Sequence, residues 1–251
     1  MSDPCAVVPV ALPLQQACVC LGNHQRSRPP RILHQYWDRD PPDQIRKLLA
    51  HCAKVCAGAD VIHRVWDAQS GAALLADGFP DIVVRAYEIA PHAAMKSDIL
   101  RMAVMHRYGG IYLDADMALR AETGPYLWLS FTDALLFKWN LPERQNSPTW
   151  CMGFQAGHDL AWNALLHMSN RMVAAVEAEG EGAISRALAL GPGALTEALG
   201  GWIAAHGADG ITILDVNEAY RMVQNGPELL KAPLAYKSSP LHWLVASLRP
   251  R

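Results

Sequence analysis

Two aspartates separated by one residue are the side chains best suited to chemistry in this sequence. Asp114 and Asp116 follow the apolar stretch 111–113, which has the composition of a short buried strand. Side chains two residues apart in an extended segment point to the same side, so both carboxylates are expected to face one cleft. Neighbouring carboxylates repel each other unless a cation compensates them, and Mg²⁺ and Mn²⁺ favour oxygen ligands together with substrate phosphates. The pair predicts a metal-diphosphate site, although an Asp-x-Asp at a strand end is, taken alone, more commonly an acidic turn.

The segment before this pair adds a basic residue. Between positions 91 and 108 apolar residues recur at helical steps, and Gly109-Gly110 ends the helix before the acidic strand. Asp98 and Arg101 are three residues apart and therefore share one face of that helix. A guanidinium group can grip a phosphate or a sugar hydroxyl in forked geometry. The alternative is a surface ion pair worth roughly 0 to 1 kcal/mol.

Strand and helix patterns alternate along the rest of the chain. The predicted strands are 32–37, 61–66, 111–113, 134–139, 151–156 and 211–214, and the predicted helices are 43–57, 70–76, 91–108, 160–177 and 191–200. This order predicts an α/β fold with a mostly parallel central sheet flanked by helices. Ligands of such sheets bind beyond the carboxyl ends of the strands, where Asp114 and Asp116 are expected.

The segments KSDILR (96–101) and YGGIYLDAD (108–116) resemble the DXD sugar-binding region of glycosyltransferase family 32 and its relatives. These relatives include mannosyltransferases, bacterial capsular-polysaccharide transferases and, more distantly, the glucosylating domain of large clostridial toxins. The likeness extends to ILHQYW (32–37) and VWD (65–67), and more weakly to 191–196 and to the region of His242. It covers roughly residues 31–118.

The resemblance implies a GT-A fold, the nucleotide-diphospho-sugar transferase fold, and a hexosyltransferase that works in polysaccharide biosynthesis. It implies a UDP- or GDP-sugar donor, a glycan or other hydroxyl acceptor, retention of anomeric configuration, and a divalent cation, Mn²⁺ or else Mg²⁺. By the same resemblance, Tyr36 and Trp37 hold the base, Asp98 and Arg101 the donor sugar and its phosphate, Tyr112 and Asp114 the donor, and Asp116 and His242 the metal.

The domain organisation follows from the same patterns. Residues 1–30 are rich in Pro, Cys, Gln and Arg and predict an irregular N-terminal extension. Residues 31–251 are expected to form a single GT-A-like domain, in which 31–120 bind the nucleotide sugar and 121–251 form the acceptor side. In that second half, Asn146 and Gln155 are expected to border the acceptor cleft.

Composition excludes several classes of function. The 251 residues contain 22 Lys and Arg against 24 Asp and Glu, a net charge of −2, which argues against nucleic-acid binding through a broad basic surface. No apolar stretch reaches the roughly 18 to 20 residues of a transmembrane segment. The N-terminal residues lack the positive charge of a secretory signal, and the six cysteines are expected to be reduced thiols. The sequence therefore favours a cytoplasmic protein.

Two other functions are compatible with an Asp-x-Asp motif. A non-catalytic nucleotide-sugar or carbohydrate-binding protein would keep the cleft without turnover. A phosphatase of the haloacid-dehalogenase type also places Asp-x-Asp after an apolar strand, but its loop continues to Thr or Val where this chain has Ala118. That motif is also expected near the start of its domain, whereas two predicted strands precede it here.

Overall fold

A central sheet organises the part of the protein that the computed structural model describes, which is residues 28–139, 147–180, 182–183, 189–239 and 242. In chain order the strands are β1 (Ile32–Tyr36), β2 (Ile62–Trp66), β3 (Gly110–Leu113), β4 (Met117–Leu119), β5 (Ala134–Lys138), β6 (Cys151–Phe154), β7 (Ile211–Asp215) and β8 (Val223–Asn225). Six of these strands form the central sheet in the order β2-β1-β3-β6-β5-β7, and β4 and β8 form a separate antiparallel pair.

The direction of the strands confirms the predicted mostly parallel sheet. Strand β1 pairs in parallel with β2 and with β3, and β5 pairs in parallel with β7. Strand β6 runs antiparallel to both of its neighbours, with Leu113 opposite Cys151. The carboxyl ends of β1 and β3 and the amino end of β6 therefore meet at one edge of the sheet, and this edge carries the site.

Helices surround the sheet. They are α1 (Asp43–Gly58), α2 (Ala68–Ala76), α3 (Asp81–Ile89), α4 (Ala93–Tyr108), α5 (Asp159–Glu179), α6 (Ala194–His206), α7 (Val216–Met222) and α8 (Gly226–Leu230). A π-helical turn at Ala189–Gly193 precedes α6, and 3₁₀ turns lie at Gly124–Leu129 and Ala235–Ser238. Within the described ranges, none of these helices combines the length and apolarity needed to cross a bilayer.

The two faces of the sheet bury separate apolar clusters. On one face Tyr112 of β3 packs in a cluster with Trp66 of β2 and with residues of α2 to α6, including Leu100. On the other face Ile111 of β3 packs with residues of α1, including Leu48. Neighbouring side chains of a strand point to opposite faces, so β3 contributes to both clusters. This double coverage explains why β3 is apolar throughout and fully buried.

Helix α4 and the glycines after it fix where the acidic strand begins. The interior of α4 is buried on nearly every side, so it lacks the polar face of a surface helix. Gly109 and Gly110 have φ of 63° and 91°, values that favour glycine. A Cβ on Gly110 would lie 2.5 Å from the carbonyl oxygen of Ile32, so the turn also lets β3 approach β1 closely. The relative positions of Arg101 and Asp114 are therefore set by α4, the glycine turn and β3 together.

The predicted elements agree with the structure within a few residues, with two kinds of exception. The helix expected from residue 191 begins at Ala194, because the π-helical turn occupies the residues before it. Five short elements were not predicted: α3, β4, α7, β8 and α8. Residues 1–27 lie outside the described residues, so the expected N-terminal extension stays a prediction.

Candidate functional site

A cleft of about 710 Å³ opens at the edge of the sheet where β1 and β3 end. Its walls come from four segments that are distant in sequence. They are residues 36–40 after β1, residues 91–94 with Ser97 and Arg101 of α4, residues 114–116 after β3, and Tyr236 with His242 near the end of the chain. The cleft thus unites most of the residues that the sequence pattern singled out.

Asp114 and Asp116 lie in a tight turn rather than in an extended segment. The amide of Met117 donates to the carbonyl oxygen of Asp114 at 3.0 Å, which closes a four-residue turn. The expected extended geometry is therefore wrong, because the strand ends at Leu113. The turn nevertheless brings both carboxylates to the cleft, with side-chain exposures of 33% for Asp114 and 16% for Asp116.

Arg101 is a buried residue at the base of this cleft. Its side chain is 6% exposed, and its Nη2 lies 3.3 Å from Oδ1 of Asp114 and 3.1 Å from Oδ1 of Asp98. The guanidinium also donates to the carbonyl oxygen of Thr149 at 2.5 Å. A surface ion pair, the alternative for Asp98 and Arg101, is excluded by this burial. Arg101 instead fixes the carboxylate of Asp114 in place.

Asp98 lies beneath the cleft and is not part of its wall. Its side chain is 9% exposed and packs against Gly191, where any side chain would collide with its carboxylate. Burial raises the pKa of Asp98 to about 6, although the charge of Arg101 opposes the rise. In this conformation Asp98 contacts Arg101 rather than the open cleft.

Tyr112 supports Arg101 from below. Its ring lies 4.7 Å from the guanidinium carbon, and its hydroxyl is 2.7 Å from Oγ of Ser97. Ser97 in turn accepts a hydrogen bond of 3.0 Å from Nη2 of Arg101. Tyr112 is fully buried, so the structure places it under the residues that line the cleft.

The last residue of β1 and the residues after it form another part of the cleft wall. The hydroxyl of Tyr36 donates to Oδ1 of Asp38 at 2.7 Å and lies 3.3 Å from the hydroxyl of Tyr87. Tyr36 therefore holds Asp38, a cleft residue that sequence reasoning missed. Trp37 is half-buried and meets the ring of Tyr236 edge to face, with centroids 5.1 Å apart.

Asp116 is held by the segment near the end of the chain. Its Oδ2 accepts a hydrogen bond of 2.8 Å from the hydroxyl of Tyr236 and lies 2.7 Å from Nζ of Lys237. Its backbone carbonyl accepts from the amide of Gly226 at 2.8 Å. His242 lines the same cleft, 5.9 Å from the ring of Tyr236. Burial lowers the pKa of His242, with the charge of Lys237 acting in the same direction.

Gln35 holds the backbone of the aspartate turn from below. Its Nε2 donates to the carbonyl oxygens of Asp114 and Met117 at 3.3 and 3.4 Å, and its Oε1 is 2.8 Å from Nε2 of His63. Sequence reasoning missed this role. The available signal was a polar amide inside an apolar strand, because a buried amide has to find hydrogen-bond partners.

Of the two residues expected at the acceptor cleft, the described residues include Gln155. Asn146 falls outside the described residues. Gln155 follows Phe154, which pairs with Gly110 at the amino end of β3, so Gln155 lies at the edge of the sheet opposite Asp114. Its side chain donates to the carbonyl oxygen of Thr132 at 2.8 Å. The strand that precedes Gln155, β6, runs antiparallel, which sequence patterning did not show.

The donor atoms at this site suit a divalent cation shared with a substrate. Over the described ranges, no three His, Cys, Asp or Glu residues gather into a site that could hold a metal ion by themselves. Two neighbouring carboxylates remain, and Mg²⁺ and Mn²⁺ are commonly bound by one or two carboxylates completed by water and substrate phosphates. The residues therefore fit such a cation, and Asp116, with His242 in the same cleft, would hold it together with a diphosphate.

Comparison with known proteins agrees with this geometry. Residues 42–132 match the family model of the glycosyltransferase sugar-binding region containing a DXD motif. An uncharacterized glycosyltransferase of Acanthamoeba polyphaga mimivirus is 32% identical over 105 residues, 41% of each chain. Inositol phosphoceramide mannosyltransferase 3 of Schizosaccharomyces pombe is 25% identical over 142 residues, 54% of this chain and 36% of the relative. The matched parts span less than half the length of these relatives.

A solved structure extends the comparison to most of the fold. PaToxG Glycosyltransferase superposes with a TM-score of 0.50 over 88% of this chain and 87% of its own, at 17% sequence identity. The expected GT-A type of α/β fold is thereby confirmed, and the haloacid-dehalogenase alternative finds no support in it. The expected resemblance to this family of DXD-containing glycosyltransferases is confirmed.

Proposed function

We propose that this protein transfers a hexose from a nucleotide-diphosphate sugar to a hydroxyl group of a glycan or similar acceptor. The proposal includes a requirement for a divalent cation, Mn²⁺ or Mg²⁺, and retention of anomeric configuration. One observation carries it: Asp114, Asp116 and Arg101 converge on one large cleft at the carboxyl ends of adjacent parallel strands. This is where α/β sheets bind nucleotide ligands.

Residues on different walls of the cleft bind different parts of the donor. Trp37 offers an aromatic face for the base, and Tyr36 keeps Asp38 in position beside it. Asp114 accepts hydroxyl groups of the ribose or the sugar. Asp116 faces the diphosphate, and His242 lies on the same side of the cleft. Asp98 and Tyr112 act in this scheme by holding Arg101.

The reaction breaks the bond between the anomeric carbon and the diphosphate oxygen and forms a bond to the acceptor oxygen. Negative charge grows on the leaving diphosphate, so fixed positive charge nearby lowers the barrier. When bound, a divalent cation supplies part of that charge. Arg101 lies at the base of the cleft, where its charge is shared between the carboxylates of Asp98 and Asp114. Its contact with Asp114 also orients the carboxylate toward the donor.

A donor screen tests the proposal directly. The protein is incubated with Mn²⁺ and a panel of UDP- and GDP-sugars, and release of free sugar and nucleotide is measured with and without EDTA. A GDP-linked mannose is the first donor to try, because one relative is named a mannosyltransferase. We expect turnover of at least one donor that EDTA abolishes, and the anomer of the transferred product, read by NMR, reports on retention.

Substitutions of the cleft aspartates test whether the turnover takes place in this cleft. Asp114→Asn and Asp116→Asn are each expected to lower turnover by about 100-fold or more. The first removes the carboxylate that accepts hydroxyl groups of the donor, and the second removes the negative ligand of the cation at the diphosphate. The matched control is Asp209→Asn, an exposed aspartate outside the cleft, which should keep full activity. Undiminished turnover in both cleft variants would disprove this assignment of the site.

The alternative of a non-catalytic binding protein predicts a different result. Such a protein would bind a nucleotide sugar in isothermal titration yet release no sugar in the presence of any acceptor or cation. Binding that depends on Asp116 together with complete absence of turnover would establish that alternative.

A cytoplasmic location and a role in polysaccharide biosynthesis complete the proposal. The location is supported by Cys52, Cys56 and Cys151, which are buried free thiols in the structure and compatible with a reducing compartment. Fractionation of cells that express the tagged full-length protein tests the location. Glycan analysis after deletion of the gene tests the role.

A further inference from the structure

Lys237 occupies the position at Asp116 where a metal ion would be expected. Its Nζ lies 2.7 Å from Oδ2 of Asp116, the same oxygen that accepts the hydrogen bond from Tyr236. The ion pair is partly open to solvent, since the lysine side chain is 45% exposed and the aspartate 16%. An ammonium group is a compact point charge on a flexible stem, so this lysine can leave the carboxylate without moving its backbone.

The segment that carries Lys237 is anchored independently of this ion pair. The side-chain amide of Gln44 in α1 donates to the carbonyl oxygen of Pro233 and accepts from the amide of Ala235, both at 2.8 Å. Leu234 between them is buried. Because Gln44 of α1 holds the backbone of this segment, the ammonium of Lys237 lies beside Asp116 whether or not the ion pair forms. Removal of the ammonium is therefore expected to leave the segment in place.

The two aspartates of the turn are neutralised by different kinds of partner. Asp114 faces the buried guanidinium of Arg101, whose other donors are taken by Thr149 and Ser97. Asp116 forms its ion pair, within the described residues, with the half-exposed ammonium of Lys237. A cation that binds from the cleft would therefore compete with Lys237 and not with Arg101.

We propose that Lys237 is a resident counter-ion of Asp116 that a divalent cation has to displace, so that it sets the affinity of the protein for metal. This inference rests on the proposed function, which places the cation at Asp116. Displacement of the ammonium would free Oδ2 of Asp116 for the metal. The exchange conserves local charge better than simple addition of a dication.

Binding of Mn²⁺ alone, measured by electron paramagnetic resonance of the free ion, tests the proposal without any turnover. Lys237→Gln keeps most of the length of the side chain and removes its charge. We expect it to bind Mn²⁺ about five- to tenfold more tightly than the unaltered protein, since an exposed ion pair and a like-charge repulsion are both removed. Lys231→Gln is the matched control, an exposed lysine of the same region without a contact to Asp116, and it should leave the affinity unchanged.

The combination with Asp116→Asn separates the two proposals. Asp116→Asn should abolish the binding of Mn²⁺ both by itself and when it is combined with Lys237→Gln. If Lys237→Gln leaves affinity unchanged or weakens it while Asp116→Asn still abolishes binding, the counter-ion proposal is overturned and the metal site stands. If Asp116→Asn has no effect on binding, alone or in the double variant, the cation is not at Asp116 and both proposals fail. Thermal unfolding of each variant shows that it is folded.

Discussion

At the scale of single residues, the site depends on groups that hold the aspartate turn from outside. Gln35 binds the carbonyl oxygens of Asp114 and Met117 from the neighbouring strand, and Gly226 binds that of Asp116. The turn itself has one internal backbone hydrogen bond. The backbone of the turn is therefore held by residues with no chemical role in the reaction.

Gln35→Glu should disturb this support with minimal change of shape. The change replaces an amide donor by an acceptor that faces two carbonyl oxygens, so we expect a loss of about 1 to 3 kcal/mol of unfolding free energy and reduced turnover. Gln69→Glu is the control, because Gln69 is exposed at the start of α2 and tolerates the same change. Urea unfolding measures both variants, and equal stability of the two would show that the amide does not hold the turn.

Only part of the site was predictable from local spacing. Asp98, Arg101, Asp114 and Asp116 lie within one helix, one strand and the turn that follows it, so their proximity follows from helical and strand periodicity. Lys237 reaches Asp116 only through the folding of the whole chain, and no short-range pattern links the two. Spacing also could not show that Asp98 would be covered by Gly191.

At the scale of elements, the turn between α4 and β3 controls how β3 docks beside β1. We expect Gly110→Ala to destabilise the protein by about 3 kcal/mol or more, or to prevent folding, because its Cβ would clash with a backbone carbonyl. Gly157→Ala is the matched control: Gly157 has φ of 77° but open space around it, so only the conformational cost of about 1 kcal/mol applies. Equal losses in urea unfolding would refute a special role for the close approach.

The long elements were predictable because their patterns repeat over several turns, whereas the short ones were not. Helix α4 and strand β1 show clear periodicity and end at Gly or Asp-Pro signals. Strands β4 and β8 have three residues each and are defined only by pairing with each other. The missed helix α3 did carry a signal, since Pro80 precedes Val83, Ala86 and Tyr87 at helical spacing.

At the scale of the whole molecule, stability should fall in acid because His34 is buried as a neutral ring. Its Nε2 is 3.1 Å from the carbonyl oxygen of Gly109, and its Nδ1 accepts from Nε1 of Trp66 at 3.0 Å. Burial lowers the pKa of His34 to about 3, with the charges of Arg64 and His63 acting in the same direction. Below the ordinary pKa of 6.5 the unfolded chain therefore takes up a proton that the folded chain does not.

The expected contribution of His34 is a loss of about 1.4 kcal/mol of unfolding free energy for each pH unit between about pH 6 and 4. Urea unfolding of the unaltered protein and of His34→Asn over this range measures it. The variant should be less stable at pH 7 and should show a shallower decline in acid. His206→Asn, at an exposed position, should keep the original slope. Parallel curves for the unaltered protein and His34→Asn would contradict the expectation.

The order of the strands makes the two halves of the chain that contribute to the sheet mutually dependent. Strand β3 lies between β1 and β6, so Ile111 pairs with Leu33 from the first half of the chain and with Gly153 from the second. A polypeptide severed between β5 and β6 would give two pieces that each expose an unsatisfied edge. Neither piece could therefore be exchanged between homologous proteins as an independently folding unit. The proposed donor and acceptor preferences are better combined by exchanging the loops around the cleft than by joining halves of different proteins.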